Sequence, residues 1–136
     1  DECIVLKRRS GFQSVLPVVK GVAKTLCTYT EADVLFVACS KVVVCEGVNK
    51  KHYQGASVSD RFIKIANERK TVILHGDELD GLFDDRSMLC NYCVVEPIVA
   101  CGDVVGVAAL LIDGLPSDVA RAYLHFCVEL VSKSLE

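Results

Sequence analysis

The stretch YCVVEPIVACGDVVGVAALLI, residues 92–112, decides the fold, because two almost wholly apolar runs flank a single turn signal. Gly102-Asp103, with glycine first, is typical of a two-residue type II′ hairpin turn. A hairpin with one face in water would alternate apolar and polar residues, and this one does not. Both faces of the sheet are therefore expected to be covered, one by helices and the other by loops over a small-molecule cavity.

The remaining elements are predicted from the same kinds of pattern. A stripe of apolar residues at steps of three and four predicts a helix from Ser14 to about Tyr29, with Pro17 tolerated in its first turn. Ser117 is a typical N-cap for the last helix. The other predicted elements are a hairpin of residues 33–39 and 42–46 turning at Ser40-Lys41, a helix over 58–69, a strand over 71–75 and an acidic loop over 76–87.

The last helix is apolar nearly all round, which is typical of a helix buried on two sides. One side is expected to pack on this chain's own sheet, and the other on a second copy, together with the first helix. We therefore predict a homodimer or a larger assembly through the helices Val15–Leu26 and Ala120–Leu135. Because hairpins dominate, the predicted class is α+β, with a mostly antiparallel central sheet, the N- and C-terminal helices on one face and loops over the other.

The composition fits one domain and excludes several classes of function. The chain has 136 residues and a net charge of −3, so no basic surface for nucleic acid is expected. No apolar run approaches the ~18 residues of a membrane span, and Asp1-Glu2 is not the start of a signal peptide, so we expect a cytoplasmic protein without membrane contact. The eight cysteines lie mostly in apolar segments, which favours reduced thiols packed as small hydrophobic residues.

Three segments, together with the order of the elements, carry a resemblance to a known family. They are PIVACGDVVG at 97–106, KKHY at 50–53 and SVS at 57–59. With them the chain resembles a GAF domain, and more narrowly the C-terminal sensor domain of the stage V sporulation protein T family of AbrB-type transcription regulators. The opening DECIVLKR at 1–8 is similar to the last strand of the DNA-binding domain that precedes this sensor in the family.

The resemblance implies a domain division and a function. Residues 1–9 would be the trailing strand of a truncated AbrB-type DNA-binding domain, and residues 10–136 the GAF-like sensor domain. The implied function is that of a non-catalytic regulatory domain in a sporulation-type regulator. Such a domain senses an unidentified small molecule, associates with further copies and reaches DNA only through the missing N-terminal domain. The richness in cysteine departs from the family pattern.

The candidate ligand-binding residues lie in the polar stretch 47–57 and in the long hairpin. Asn49 and Tyr53 could donate hydrogen bonds to a ligand, and Ser57 could offer its hydroxyl. Glu96 stands before Pro97 within the hairpin, where a bulge is expected. A buried carboxylate needs a partner, so Glu96 either faces the cavity or reaches solvent at that bulge. No cofactor is expected.

Two alternative functions stay open. A purely structural oligomerisation module would have its cavity filled by side chains such as Phe36, Phe83 or Met88. A redox sensor or a reductase of the GAF type would use cysteines, above all Cys90 and Cys93. Against that use, residues three apart on a strand point to opposite faces of the sheet.

No metal site and no catalytic residue are expected. Cys90-x-x-Cys93 has no second CxxC to complete a zinc site, and the acidic loop does not have the spacing of an EF-hand. The three histidines have no visible nucleophile and acid arranged around them. The sequence therefore predicts a domain that binds rather than one that catalyses.

Overall fold

The computed structural model describes residues 12–136, so the strand predicted at residues 1–9 lies outside the described residues. The elements along the chain are α1 (Leu16–Thr30), β1 (Asp33–Ala38), β2 (Lys41–Glu46), α2 (Lys50–Tyr53), α3 (Asp60–Asn67), β3 (Val72–His75), the 3-10 helix η1 (Gly76–Leu79), β4 (Tyr92–Ala100), β5 (Asp103–Ile112) and α4 (Asp118–Leu135). Within this range five strands form one sheet in the order β2-β1-β5-β4-β3, and each neighbouring pair is antiparallel. The predicted α+β class with an antiparallel sheet is confirmed.

The long hairpin forms as predicted, but its turn lies one residue earlier. Ala100 pairs with Asp103, so the central turn residues are Cys101 and Gly102, with φ of 53° and 85°. Positive φ at both central positions is the pattern of a type I′ turn, whereas type II′ needs it only at the first. The prediction of a Gly102-Asp103 turn is therefore wrong, because the glycine takes the second position.

The β1–β2 hairpin shows the same shift. Its turn was expected at Ser40-Lys41, but Ala38 pairs with Lys41, so Cys39 and Ser40 are central. Their φ values of 50° and 65° again match a type I′ turn. Both hairpins thus carry a cysteine in the left-handed region, where asparagine or aspartate is more usual.

The helices α1 and α4 cover one face of the sheet, as predicted. Buried residues on this face include Val34, Phe36, Val94, Ile98, Ala108 and Leu110 from the strands, Val19, Ala23 and Leu26 from α1, and Leu124, Val128 and Val131 from α4. The last helix begins as expected, because the Ser117 Oγ accepts a hydrogen bond from the Ala120 N–H at 3.0 Å. The first begins at Leu16, with Pro17 in its opening turn and without a side-chain cap.

The short elements α2, α3 and η1 and their loops cover the other face, so the prediction that both faces are covered is confirmed. Tyr53, Phe62 and Leu82 have no exposed surface there. The rings of Tyr53 and Phe62 lie 5.5 Å and 6.3 Å from that of Phe83. These side chains form part of one apolar cluster beneath residues 50–57, where a hollow was expected. Phe36 takes no part, since it packs on the helix-covered face.

Gly106 allows the centre of the sheet to pack closely. It pairs with Ile98 of β4, just before a shift of register. A Cβ at this position would lie 2.7 Å from the carbonyl oxygen of Val37 in β1. Any side chain would therefore push β1 and β5 apart.

None of the helices within residues 12–136 combines the length and the apolar composition needed to cross a bilayer.

Candidate functional site

The predicted ligand residue Asn49 binds a buried carboxylate of the chain itself. Its Nδ2 donates to Asp33 Oδ2 at 2.8 Å, and its backbone N–H donates to Asp33 Oδ1 at 3.1 Å. Asp33 is only 7% exposed, so it depends on these donors. A side chain at Gly47 would overlap Asp33 Oδ1, which fixes glycine at the start of this loop. The polar groups of Asn49 are used to dock residues 47–49 on β1.

Tyr53 and its neighbour His52 attach α2 to the loop formed by residues 86–91. The Tyr53 hydroxyl accepts a hydrogen bond from the Leu89 N–H at 2.8 Å, and His52 Nε2 lies 2.8 Å from the carbonyl oxygen of Ser87. Burial raises the pKa of the fully buried Tyr53, so its phenol stays protonated. Tyr53 therefore holds the loop 86–91 in position through this hydrogen bond.

Ser57 takes part in a backbone junction. It forms an isolated antiparallel bridge with Lys41, and its carbonyl oxygen accepts a hydrogen bond from the Asp84 N–H at 3.0 Å. The residue is half-buried. Ser57 therefore connects the edge of β2 to the segment that follows η1.

Glu96 lies on the opposite face of the sheet from Asn49 and Tyr53. It is 5% exposed and points to the side covered by the helices, between Val94 and Ile98 along β4. Its Oε2 accepts a hydrogen bond from His125 Nδ1 of α4 at 2.6 Å. The Thr71 hydroxyl donates to its Oε1 at 3.3 Å.

The four predicted residues do not converge on one site. Three lie with the loops and the fourth packs beneath α4. The prediction that Glu96 faces a cavity under the loops or reaches solvent is wrong, because its partner His125 comes from the helix layer. A buried carboxylate that accepts hydrogen bonds from His125 and Thr71 needs no ligand to satisfy it.

A cavity of about 420 Å³ opens at the margin of the loop-covered face. It is lined by Gly76, Leu79, Asp80, Gly81, Arg86, Ser87, Met88, Cys90 and Asn91. One side of the cavity is formed by η1, and the other side by the loop 86–91. The Arg61 guanidinium donates to the carbonyl oxygens of Asp80 and Glu78 at 2.7 Å each, which attaches the region of η1 to α3. The acidic stretch 76–87 therefore borders a cavity, as a lid would.

Arg86, which lines this cavity, has one polar atom without a partner. Its Nη1 is buried, and no hydrogen-bond acceptor from residues 12–136 reaches it, although the residue as a whole is half-buried. Nothing in the pattern of residues marks an arginine after five acidic residues as having a buried Nη1. The only signal was its isolation among carboxylates between Gly76 and Ser87.

A smaller cavity of about 220 Å³ lies beside the Asp33–Asn49 pair. Its wall is formed by Cys27, Glu31, Ala32, Asp33, Gly47, Val48, Asn49, Leu89, Cys90, Leu111, Ile112 and Asp113. Leu89 and Cys90 place the loop 86–91 against this space as well. One loop thus borders two cavities.

Five cysteines outside any disulfide have a pKa that burial raises, and they are Cys27, Cys45, Cys90, Cys93 and Cys127. Cys90 and Cys93 pack in the same cluster beneath the loops, so the expectation that they point to opposite faces is wrong; β4 begins only at Tyr92. Burial raises the pKa of Cys90 to about 11, that of Cys45 to about 12, and that of Cys93 further. Thiols in this state are poor nucleophiles at neutral pH.

Residues 12–136 hold no group of three or more His, Cys, Asp or Glu side chains arranged to bind a metal ion.

An apolar groove of about 570 Å³ runs between α1 and α4 on the outside of the helix layer. It is lined by Pro17, Val18, Gly21, Val22, Thr25, Leu26, Tyr29, Tyr123, Phe126, Cys127 and Leu130, with no charged residue. Tyr29 and Phe126 are 70% and 63% exposed. The outward face of the helices is thus an uncovered apolar surface.

The profile of the family described as stage V sporulation protein T C-terminal, transcription factor, matches residues 17–123. None of the curated proteins compared with the chain matches it.

Solved structures of low sequence identity share the fold. The cofactor-binding GAF domain of the nutrient sensor CodY from Clostridium difficile has a TM-score of 0.66 at 16% identity, over 97% of each chain. The GAF domain of an Acinetobacter phosphoenolpyruvate-protein phosphotransferase has a TM-score of 0.70 at 14% identity, over 99% of this chain and 94% of that one. A type II free methionine-R-sulfoxide reductase from Thermoplasma acidophilum has a TM-score of 0.70 at 11% identity, over 92% and 94%. The chain therefore has the GAF fold.

Proposed function

The chain belongs to the family described as stage V sporulation protein T C-terminal, transcription factor, and from this premise we propose that it is a small-molecule-sensing, self-associating regulatory domain without catalytic activity. One observation carries the proposal. The loop-covered face holds a cavity of about 420 Å³, while the helix-covered face ends in an uncovered apolar groove, and one five-stranded sheet separates them. Ligand and partner would therefore act on the same sheet from opposite sides.

The proposed partner at the groove is a second copy of the chain. Gly21 lies in the middle of α1 on the exposed face, and a Cβ there would meet no atom within 4 Å. Glycine inside a helix costs about 0.5–1 kcal/mol relative to alanine, and a close approach by another helix is a common reason to keep it. The exposed ring of Phe126 on α4 is the side chain that would enter the groove of the second copy. In a two-fold dimer each Phe126 would fill the other protomer's groove.

Sensing would operate by linkage between cavity and groove. A ligand that binds one arrangement of α1 and α4 more tightly than another shifts the population toward it, and by reciprocity dimerisation changes ligand affinity. In a full-length transcription factor such a shift would alter the spacing of its DNA-binding parts. The proposed location is the cytoplasm, which fits the lack of disulfides among the cysteines of residues 12–136.

Catalysis of the methionine sulfoxide reductase kind is disfavoured by the state of the thiols. A reductase of that class needs a thiolate open to substrate and a resolving partner. Cys93 has no exposed surface, and burial raises the pKa of both Cys90 and Cys93. The fold alone is shared with the Thermoplasma enzyme.

A second candidate function, a structural oligomerisation module, is favoured by the packing beneath residues 47–57. Tyr53, Phe62 and Phe83 fill the space that a ligand would occupy there. This candidate requires no ligand in the marginal cavities.

The two functions are separated by a thermal-shift screen of small metabolites, followed by sedimentation velocity with any compound that stabilises the chain. The sensing function predicts at least one compound that raises Tm and changes the dimer dissociation constant. The structural module predicts a dimer whose Tm and dissociation constant no compound alters.

A further inference from the structure

We propose that the cavity between η1 and the loop 86–91 binds a small monocarboxylic acid with an apolar body, whose carboxylate pairs with the guanidinium of Arg86. The inference rests on the proposed sensing function and names the chemical class of its ligand. It begins from one atom. Arg86 Nη1 is buried and has no acceptor among residues 12–136, although a buried charged donor is normally paired. Because Arg86 lines the cavity, an acceptor supplied from outside the chain would reach its guanidinium from there.

The shape of the guanidinium selects an oxyanion. Its planar fork of N–H donors matches two oxygens of one carboxylate, and such pairs are the strong class of hydrogen bond. Arg86 lines the cavity together with Ser87 and Asn91, whose hydroxyl and amide add further donors. Four of the nine lining residues are polar or charged, and polar groups that converge on one cavity are typical of small-molecule sites.

The surrounding charge restricts the ligand to a single negative charge. Asp77, Glu78, Asp80, Asp84 and Asp85 precede Arg86 in the sequence, and Asp80 itself lines the cavity. A phosphate with nearly two negative charges would be repelled by Asp80 more than a monocarboxylate would. Asp80 thus disfavours polyanions in this cavity.

The apolar part of the wall accommodates a short apolar body. Leu79, Met88 and Cys90 contribute hydrocarbon and sulfur surface. Burial raises the pKa of Cys90 to about 11, so its thiol is neutral and behaves as a small hydrophobic group. The volume of about 420 Å³ lies in the range of small-ligand pockets.

Because the loop 86–91 is attached to α2, a ligand bound at Arg86 would change how firmly this loop is held. Tyr53 holds Leu89 and His52 contacts the Ser87 carbonyl, so the loop 86–91 is attached to α2 next to Arg86. A carboxylate bound to Arg86 would fix the remaining end of the loop. Ligand binding is therefore expected to order this loop against α2.

The test is a titration by isothermal calorimetry and thermal shift with straight-chain monocarboxylates from acetate to octanoate. The matched primary alcohols and alkyl phosphates serve as ligand controls. We expect saturable binding by the carboxylates, stronger for longer chains, and at least tenfold weaker binding by the alcohols and the phosphates. Equal binding of alkyl phosphates or alcohols would overturn the proposal.

Variants locate the site. Arg86→Gln should weaken carboxylate binding at least tenfold, whereas Arg69→Gln, at an exposed arginine outside the cavity, should leave it within twofold. Met88→Trp keeps Arg86 and fills the cavity, so it should also abolish binding even where Arg86→Gln folds poorly. Unchanged affinity in Met88→Trp, or in a folded Arg86→Gln, contradicts the assignment.

Failure of this inference is distinguishable from failure of the sensing function. If no monocarboxylate binds but another metabolite class stabilises the chain, the ligand class is wrong and the domain is still a sensor. If no compound of the wide screen binds, both are wrong.

Discussion

Asp33 is a buried carboxylate, and its hydrogen-bond donors come from Asn49 in the loop that follows β2. Removing the side-chain amide of Asn49 tests this pairing. Asn49→Ala deletes the Nδ2 donor and leaves Asp33 Oδ2 buried without it. We expect the free energy of unfolding to fall by about 1–3 kcal/mol, the cost of an unsatisfied buried polar group. Urea denaturation measures the change. Asn67→Ala, at an exposed amide on α3, is the control and should change stability by less than about 0.5 kcal/mol.

His125 and Glu96 predict a pH-dependent contribution to stability. The hydrogen bond to Glu96 raises the pKa of His125; the charges of Glu96 and Glu129 add to this and partial burial opposes it. The folded state therefore favours the protonated imidazole. Its contribution is complete below the unfolded pKa of about 6.5 and is lost as the pH rises through the raised value. Because the imidazole is 64% exposed, we expect less than about 1 kcal/mol.

The measurement compares the wild type with His125→Gln in urea between about pH 5 and pH 9. The difference in unfolding free energy should be largest at the acidic end and should shrink toward the alkaline end. A difference that is constant with pH, or that grows as the pH rises, would contradict the assigned pairing.

At the residue scale the sequence predicted where polar side chains cluster but not which partners they find. Asn49 lines the smaller cavity and Tyr53 lines neither of the two described, and their hydrogen bonds are made to Asp33 and Leu89. The face taken by Glu96 depends on which side of the sheet α4 covers, and a single sequence does not show this. Arg86 could not be singled out, because the burial of its Nη1 belongs to the folded chain and leaves no pattern in the sequence.

At the scale of elements, Gly106 tests how closely β1 and β5 are packed. Gly106→Ala would place a Cβ 2.7 Å from the Val37 carbonyl oxygen, which is a rigid backbone atom. We expect a loss of about 1–3 kcal/mol, as in other overpacked sites. Gly114→Ala is the matched control, because a Cβ there meets nothing within 4 Å. Thermal denaturation of both variants gives the comparison, and equal Tm values would contradict the expected strain.

The long hairpin and the two long helices were predictable because each has a distinct pattern of apolar residues. Unbroken apolar runs identified β4 and β5, and steps of three and four identified α1 and α4. The turns were misplaced by one residue because Cys101 and Cys39 adopt positive φ, which cysteine seldom does. The four residues of α2 were read as loop, since so short and polar a helix is held by tertiary contacts rather than by propensity.

At the scale of the whole molecule, the groove between α1 and α4 predicts a dimer that one charge disrupts. Phe126→Glu places a carboxylate in an apolar interface without touching the core, so we expect the dissociation constant to rise at least a hundredfold while the fold persists. Val48→Glu is the control, since Val48 is 96% exposed and lies outside the groove.

Sedimentation equilibrium measures both dissociation constants, and circular dichroism confirms the fold. A wild type that stays monomeric at micromolar concentration would exclude the proposed self-association. An unchanged dissociation constant in Phe126→Glu would place the dimer contact elsewhere.

The hydrogen bond from the Leu89 amide to the Tyr53 phenol can be followed by the hydrogen exchange of that amide. Leu89 is 46% exposed, so we expect its amide to exchange with deuterium faster when the phenol does not hold it. Its slowed exchange therefore reports whether α2 and the loop are docked, independently of global unfolding. A single NMR cross-peak should then follow occupancy of the neighbouring cavity, slowing further when a compound binds and becoming fast in Tyr53→Phe.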